Sequence, residues 1–223
     1  MELELAPVEI RVLGSLIEKE RTTPDYYPLT LNALAAACNQ KSNREPVMTL
    51  TEAEITQALD NLRAKHLVWL RSDAGARVPK YEHNLATYLG LADAECAVLC
   101  VLMLRGPQTV GEIRSRTGRM HEFSNLKAVE ETLASLISWT DGPLVKELSR
   151  QPGRKESRFT HLLAGEHFTA EEKMPESNSS SSNEPRDDRE SGRIARLEEE
   201  VRHLDQELKA LKQDFSAFKE QFQ

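Results

Sequence analysis

The segment Leu67-Val68-Trp69-Leu70-Arg71-Ser72-Asp73-Ala74-Gly75-Ala76-Arg77-Val78-Pro79-Lys80-Tyr81 decides the fold. Two short apolar-rich runs flank a polar, Gly-containing tip, which is the pattern of a β-hairpin, and Pro79 suits an edge strand. Three stretches with helical spacing come before it. Pro7 to Glu20 opens on a residue fitted to a first turn and repeats Val8, Val12, Leu13, Leu16 and Ile17 on one face. Thr22-Thr23-Pro24-Asp25-Tyr26-Tyr27-Pro28 then ends that helix, because prolines lack the amide it needs. Thr30 is placed to cap a second helix with Leu31, Leu34, Ala35 and Cys38 inward. Thr51-Glu52-Ala53-Glu54 has the capping-box spacing for a third, with Ile55, Leu59 and Leu62 inward. Helix, helix, helix, hairpin is the winged-helix order.

The same order then returns. Glu95, Val98, Leu99 and Leu102 reproduce the spacing of Glu9, Val12, Leu13 and Leu16, and Thr109 to Ile113 matches Thr30 to Leu34. Val129, Leu133 and Leu136 mirror Ile55, Leu59 and Leu62. Leu144 to Leu148 and Ser157 to His161 flank the polar tip Gln151-Pro152-Gly153-Arg154-Lys155 as a second hairpin, with Phe159 standing where Tyr81 stood. The expected architecture is mainly α with small β-hairpins, as two tandem winged-helix domains at residues 1–88 and 89–170.

Residues 171–192 are rich in Ser, Asn, Pro and charge and nearly lack apolar side chains, as in a flexible linker. Residues 193–223 carry a heptad seam of Ile194, Val201, Leu208, Phe215 and Phe222 alternating with Leu197, Leu204, Leu211 and Phe218. Early β-branched residues alternating with Leu favour a parallel two-stranded coil. Between parallel copies Arg193 meets Glu198, Glu207 meets Lys212 and Asp214 meets Lys219, while Glu200 opposes Asp205. The alternative is an amphipathic helix folding back on its own chain.

The net charge of −7 divides as −2 over residues 1–88, 0 over 89–170 and −5 over 171–223. An acidic total opposes strongly phosphate-driven binding unless local patches are basic. Cys38, Cys96 and Cys100 form no Cys-x-x-Cys pair and the His residues are scattered, so neither a disulfide framework nor a metal site is expected. The first residues lack the pattern of a secretory signal, and no apolar run reaches membrane-spanning length. A cytoplasmic protein with no cofactor and no membrane contact is the expectation.

The chemistry-bearing stretch is Cys38-Asn39-Gln40-Lys41-Ser42-Asn43-Arg44-Glu45-Pro46, a polar run between two helices and a dense array of hydrogen-bond donors. It suits phosphates, base edges or a partner's carbonyls, or else it is an ordered loop that satisfies its own groups. Together with Glu18-Lys19, Thr22-Thr23-Pro24, Tyr27-Pro28-Leu29, Val47-Met48, Arg105-Gly106, Gln108-Thr109, Gly111 to Arg116 and Asp141-Gly142-Pro143, it resembles the YceH family of bacterial proteins over roughly residues 5 to 165. The resemblance implies tandem winged helices and no established activity. Ala6 departs from it, standing where the family tends to offer a hydroxyl cap.

Two functions compete on these residues. In helix-turn-helix proteins the recognition helix enters the major groove while surrounding elements hold phosphates. Here the third helices present Glu52, Glu54 and Asp60, then Glu130 and Glu131, which repel a phosphate backbone. The cationic material lies in Lys41 and Arg44 of the polar loop, in Arg114, Arg116 and Arg119, and in Arg150, Arg154, Lys155 and Arg158 of the second wing. Each cluster alone fits a solvated face. Their recurrence near the DNA-facing parts of the fold favours a non-enzymatic, transcription-regulator-like protein that binds duplex DNA as a homodimer. Its contacts are Asn39, Gln40, Lys41, Asn43, Arg44, Arg114, Arg116, Arg119, Arg154, Lys155 and Arg158, and its dimer seam runs from Ile194 through Leu197, Val201, Leu204, Leu208, Leu211 and Phe215 to Phe218. The acidic balance fits the alternative, an adaptor for a protein partner. Catalysis is not expected: Cys38 has no activating neighbour in sequence, and no Gly-rich phosphate loop is present.

Overall fold

A computed structural model of the chain describes residues 3–71, 78–150 and 156–165, all within one compact unit. The linker and the heptad seam lie outside the described residues, as do Arg154, Lys155 and the tips of both hairpins. The described chain is mixed helical with small antiparallel sheets. It begins with helix α1 (Pro7–Thr22), a 3-10 turn (Pro24–Tyr26), the two-residue strand β1 (Leu29–Thr30), and helices α2 (Leu31–Cys38) and α3 (Glu52–Ala64). Strands β2 (Val68–Arg71) and β3 (Lys80–His83) follow, and β3 lies between β1 and β2 in an antiparallel sheet of order β1-β3-β2. Pro79 therefore precedes a middle strand rather than belonging to an edge one, just outside the ladder that begins at Lys80.

A short helix α4 (Leu85–Leu89), closed by Gly90 in the left-handed conformation (φ 71°), leads into helices α5 (Asp93–Arg105), α6 (Val110–Thr117) and α7 (Leu126–Ile137) and strands β4 (Val145–Leu148) and β5 (Arg158–His161). Gln108 pairs with Phe159 as Leu29 pairs with Tyr81. Local chemistry explains the boundaries. Thr30, Thr51, Thr109 and Asn125 each accept a backbone N–H at the start of a helix. α1 and α5 both start at an alanine cap, and Glu9 and Glu95 accept the cap residue's own N–H at 3.0 and 2.8 Å.

The halves share one core. Every residue from Cys96 to Leu104 is buried, as is every residue from Glu9 to Ile17, because α1 and α5 pack on each other more extensively than any other pair of elements. A helix apolar all round belongs in an interior rather than at a surface. Gly14 makes the approach: a Cβ there would meet Leu104 Cδ2 at 3.0 Å, and the Cys100 thiol donates to the Gly14 carbonyl at 3.4 Å. The segment before α1 is tied to the segment after β5, since the Leu5 N–H donates to the Leu163 carbonyl at 2.7 Å. Replacing Gly14 by Val forces α1 off α5, so the Gly14→Val chain should lose about 1–3 kcal/mol of stability in urea denaturation.

Candidate anion-binding cleft

The polar stretch forms the loop from α2 to α3, and much of it serves the fold. Asn39 ends α2 and clasps the loop's far end: its Nδ2 donates to the Leu50 carbonyl at 2.8 Å and its Oδ1 accepts the Leu50 N–H at 2.7 Å. Arg44 is 4% exposed. Its guanidinium donates to both Glu18 carboxylate oxygens at 3.1 and 2.6 Å and to the Ala37 carbonyl at 2.9 Å, tying α1, α2 and the loop together. Arg11, also buried, donates to the Cys38 carbonyl at 3.2 Å and to the Pro46 carbonyl. Two guanidiniums thus hold the carbonyl end of α2. The loop then reaches the second half, where the Glu45 N–H donates to the Leu104 carbonyl at 2.8 Å and Arg105 donates to Asn43 Oδ1. Asn43 adopts φ 61°, a left-handed turn that Asn tolerates.

Arg44 was expected to donate outward, and its placement corrects that expectation. A buried cation must be matched where it sits, and Glu18 and Ala37 match it. Arg114 likewise donates to the Phe123 and Ser124 carbonyls at 3.4 and 3.1 Å, pinning the loop between α6 and α7. Arg158 donates to the Pro107 carbonyl at 2.6 Å and pairs with Glu112 at 3.1 Å. These three are held by their own chain.

The remaining candidates among the described residues meet. A cleft of about 830 Å³ opens between the polar loop, the end of α1, and the ends of α5 and α6. Gln40, Lys41 and Asn43 line it from the first half, and Arg116 and Arg119 from the second. Lys41 and Arg119 are exposed at its rim. Lys19 and Arg105, which sequence reasoning did not single out as contacts, lie deeper and are half-buried. Burial, then the neighbouring charge of Arg116, pushes the Arg105 guanidinium down from its ordinary range. The lining carboxylate is Glu18, already bonded by Arg44 and with Lys19 at 3.6 Å.

The three thiols lie elsewhere. Cys38, Cys96 and Cys100 are buried and unpaired, and burial pushes each thiol up, Cys96 to about 11, away from the thiolate that nucleophilic chemistry needs. Among the described residues no group of three or more His, Cys, Asp or Glu is arranged to hold a metal ion, and no helix is long and apolar enough to cross a membrane.

Burial alone would raise the Glu18 carboxyl, but the Arg44 hydrogen bonds and charge, with Lys19 beside them, outweigh it and hold the group below its ordinary 4.5. The stabilisation from this ionised pair is full above that ordinary value and is lost as pH falls through the lower folded-state value. Arg44→Ala should therefore cost about 3 kcal/mol in urea denaturation at neutral pH, and the difference from the parent should shrink well below pH 4.5. Lys41→Ala should change stability by less than about 0.5 kcal/mol.

The model of a family described as "Protein of unknown function, DUF480" matches residues 5–154, a span that includes the polar loop and all of the described chain but its two ends. A UPF0502 protein of Geobacter sulfurreducens is 59% identical over 174 residues, covering 78% of each chain. One from Geotalea uraniireducens is 55% identical over 201 residues, 90% of each. A third, from Serratia proteamaculans, is 52% identical over 170 residues, 74% of this chain and 79% of its own. With this extent of match the chain belongs to the DUF480 family of bacterial proteins, alongside the UPF0502 proteins.

Proposed function

We propose that the chain is a non-enzymatic, cytoplasmic tandem winged-helix protein of YceH type that binds nucleic acid through its phosphates, as a homodimer joined by the heptad seam at 193–223. The single observation that carries this reading is the convergence of Lys41, Arg116 and Arg119 on one cleft with Lys19 and Arg105. Residues from two halves of the chain bring like charges together there, which costs free energy unless an anion is present to offset it. The winged-helix reading is supported by the order of three helices and a hairpin in each half, and by the matching bridges Leu29–Tyr81 and Gln108–Phe159.

The binding mode differs from that of a reader helix in the major groove. Glu52, Glu54 and Asp60 are exposed on α3, and Glu130 and Glu131 on α7, so neither third helix suits a phosphate-lined groove. Backbone contact from the loop and from α6 gives affinity with little sequence discrimination. A second reading, the protein adaptor, is favoured by one observation: Trp69, Leu70 and Val78 of the first hairpin are 45%, 40% and 51% exposed.

Fluorescence anisotropy of a labelled random duplex, titrated with the full-length protein over a series of salt concentrations, tests the choice. Binding should weaken steeply with salt, and Lys41→Ala with Arg119→Ala should reduce the slope of log K against log salt by about 2, roughly one for each phosphate no longer neutralised. Absence of binding at low salt, or a slope unaltered by the double substitution, would remove the cleft rim from nucleic-acid recognition.

A further inference from the structure

The cleft has two tiers of cations. Lys41 and Arg119 are exposed at its rim, within reach of any extended polyanion. Arg105, Arg116 and Lys19 are half-buried, and the Lys19 and Arg116 side chains keep 20% and 31% of their surface. The backbone of a duplex is broad and convex, so it meets the rim first, while the deeper tier is also open to a smaller group that enters. Volume agrees: about 830 Å³ lies within the range of roughly 300–1,000 Å³ typical of small-molecule sites.

The counter-charges of the deeper tier are shared with other cations: Lys19 stands 3.6 Å from Glu18. Glu18 is held through both oxygens by Arg44. Glu112, the acid nearest Arg116, stands 3.8 Å from it and is bonded more closely by Arg158 and the Thr109 N–H. Arg105 donates to a neutral amide, Asn43, and crowds Arg116, whose charge acts on it. Guanidiniums in this state suit a ligand with several adjacent anionic oxygens, because each presents a fork of N–H donors matched to phosphate. Val101, Leu104 and Met120 give one wall an apolar surface for an uncharged body. No aromatic side chain lines the cleft among the described residues, so stacking of unpaired bases has no platform there and the phosphates must carry recognition.

We propose that this cleft is a binding site for a small ligand carrying two or more linked phosphates, such as a nucleoside triphosphate, and that this ligand competes with nucleic acid for the chain. The site stands on the cleft alone; the competition rests on the nucleic-acid reading above. Its members come from both halves, with Lys41 on the loop from α2 to α3 and Arg105, Arg116 and Arg119 on or just after α5 and α6. An occupant would bridge the halves where Asn43 and Arg105 already join them.

Isothermal titration calorimetry of the full-length protein with tripolyphosphate, ATP and adenosine at low salt tests the site. Tripolyphosphate and ATP should bind once per chain and adenosine should not. Arg105→Met and Arg116→Met, which keep the apolar stem, should each weaken ATP about tenfold, as expected for removal of a charge-assisted bond. Thermal melting of both variants checks that they fold, and Arg116, with its single distant partner, is the safer of the two. No heat from tripolyphosphate or ATP with folded parent protein, or binding that survives both substitutions, overturns the site. Adding ATP to the labelled duplex complex then separates the two ideas. Displacement supports competition, whereas ATP binding with the duplex retained overturns the competition and leaves both ligands. A duplex that never binds, beside ATP that does, fails the nucleic-acid reading and the competition but upholds the site.

Discussion

A single buried guanidinium sets the geometry of the cleft. Arg44 sits in the middle of a loop that would otherwise be a polar excursion of a dozen residues, and it is withdrawn from water almost completely. Stripping a cation of solvent is unfavourable by several kcal/mol unless it is matched in place. The match is supplied by a helix side chain, Glu18, and by a helix-terminal carbonyl, Ala37, so the loop can fold only when α1 and α2 already stand at the right separation. Asn39 and Leu50 close the same loop at its base. What is left unbonded by this arrangement, Lys41 above all, is held out on a hydrogen-bonded support.

That support extends into the second half through packing rather than through the linker between the two. The loop's Glu45 N–H bonds the Leu104 carbonyl near the end of α5, and α5 lies against α1 at the distance that Gly14 allows. Close approach at a glycine removes a shell of side-chain atoms and lets main-chain groups meet, as the Cys100 thiol meets the Gly14 carbonyl. The consequence for function is positional: two halves that could have been beads on a string instead present the ends of α1, α5 and α6 to one common space. A cleft of that origin exists only in the joined pair.

Much of the local structure was legible from residue types and spacing. Capping threonines, inward Val129, Leu133 and Leu136, and the equivalence of Phe159 with Tyr81 all follow from period and turn chemistry, which act over a few residues. Fusion of the halves was signalled less directly. The unbroken apolar run from Cys96 to Leu104 says that α5 has no solvent face, yet only one stripe of it is needed to explain a small three-helix domain; the other stripe is the mark of α1 against it. α4 and the two-residue β1 were too short to leave a periodic trace. Buried Arg11 resisted sequence reading for a different reason: its placement depends on carbonyls contributed by Cys38 and Pro46, far along the chain.

The same distinction separates the arginines of the site. A cluster of basic residues in sequence reports a supply of charge and says nothing about which members face water. Arg44, Arg114 and Arg158 each lie beside backbone carbonyls released at a helix end or in a tight connection, those of Ala37, of Phe123 and Ser124, and of Pro107. A carbonyl without an intrahelical partner is a strong acceptor, and a nearby guanidinium with five donors satisfies several at once. Such an arginine is retained by the fold before any outside anion can compete. Lys41 and Arg119 have no such carbonyl within bonding distance among the described residues, while Arg105 and Arg116 have only a neutral amide and a distant, shared carboxylate. The acidic total of the chain is therefore a poor guide to what it binds. Local potential follows from which cations the backbone leaves over, and Lys41, Arg105, Arg116 and Arg119 lie together in one cleft.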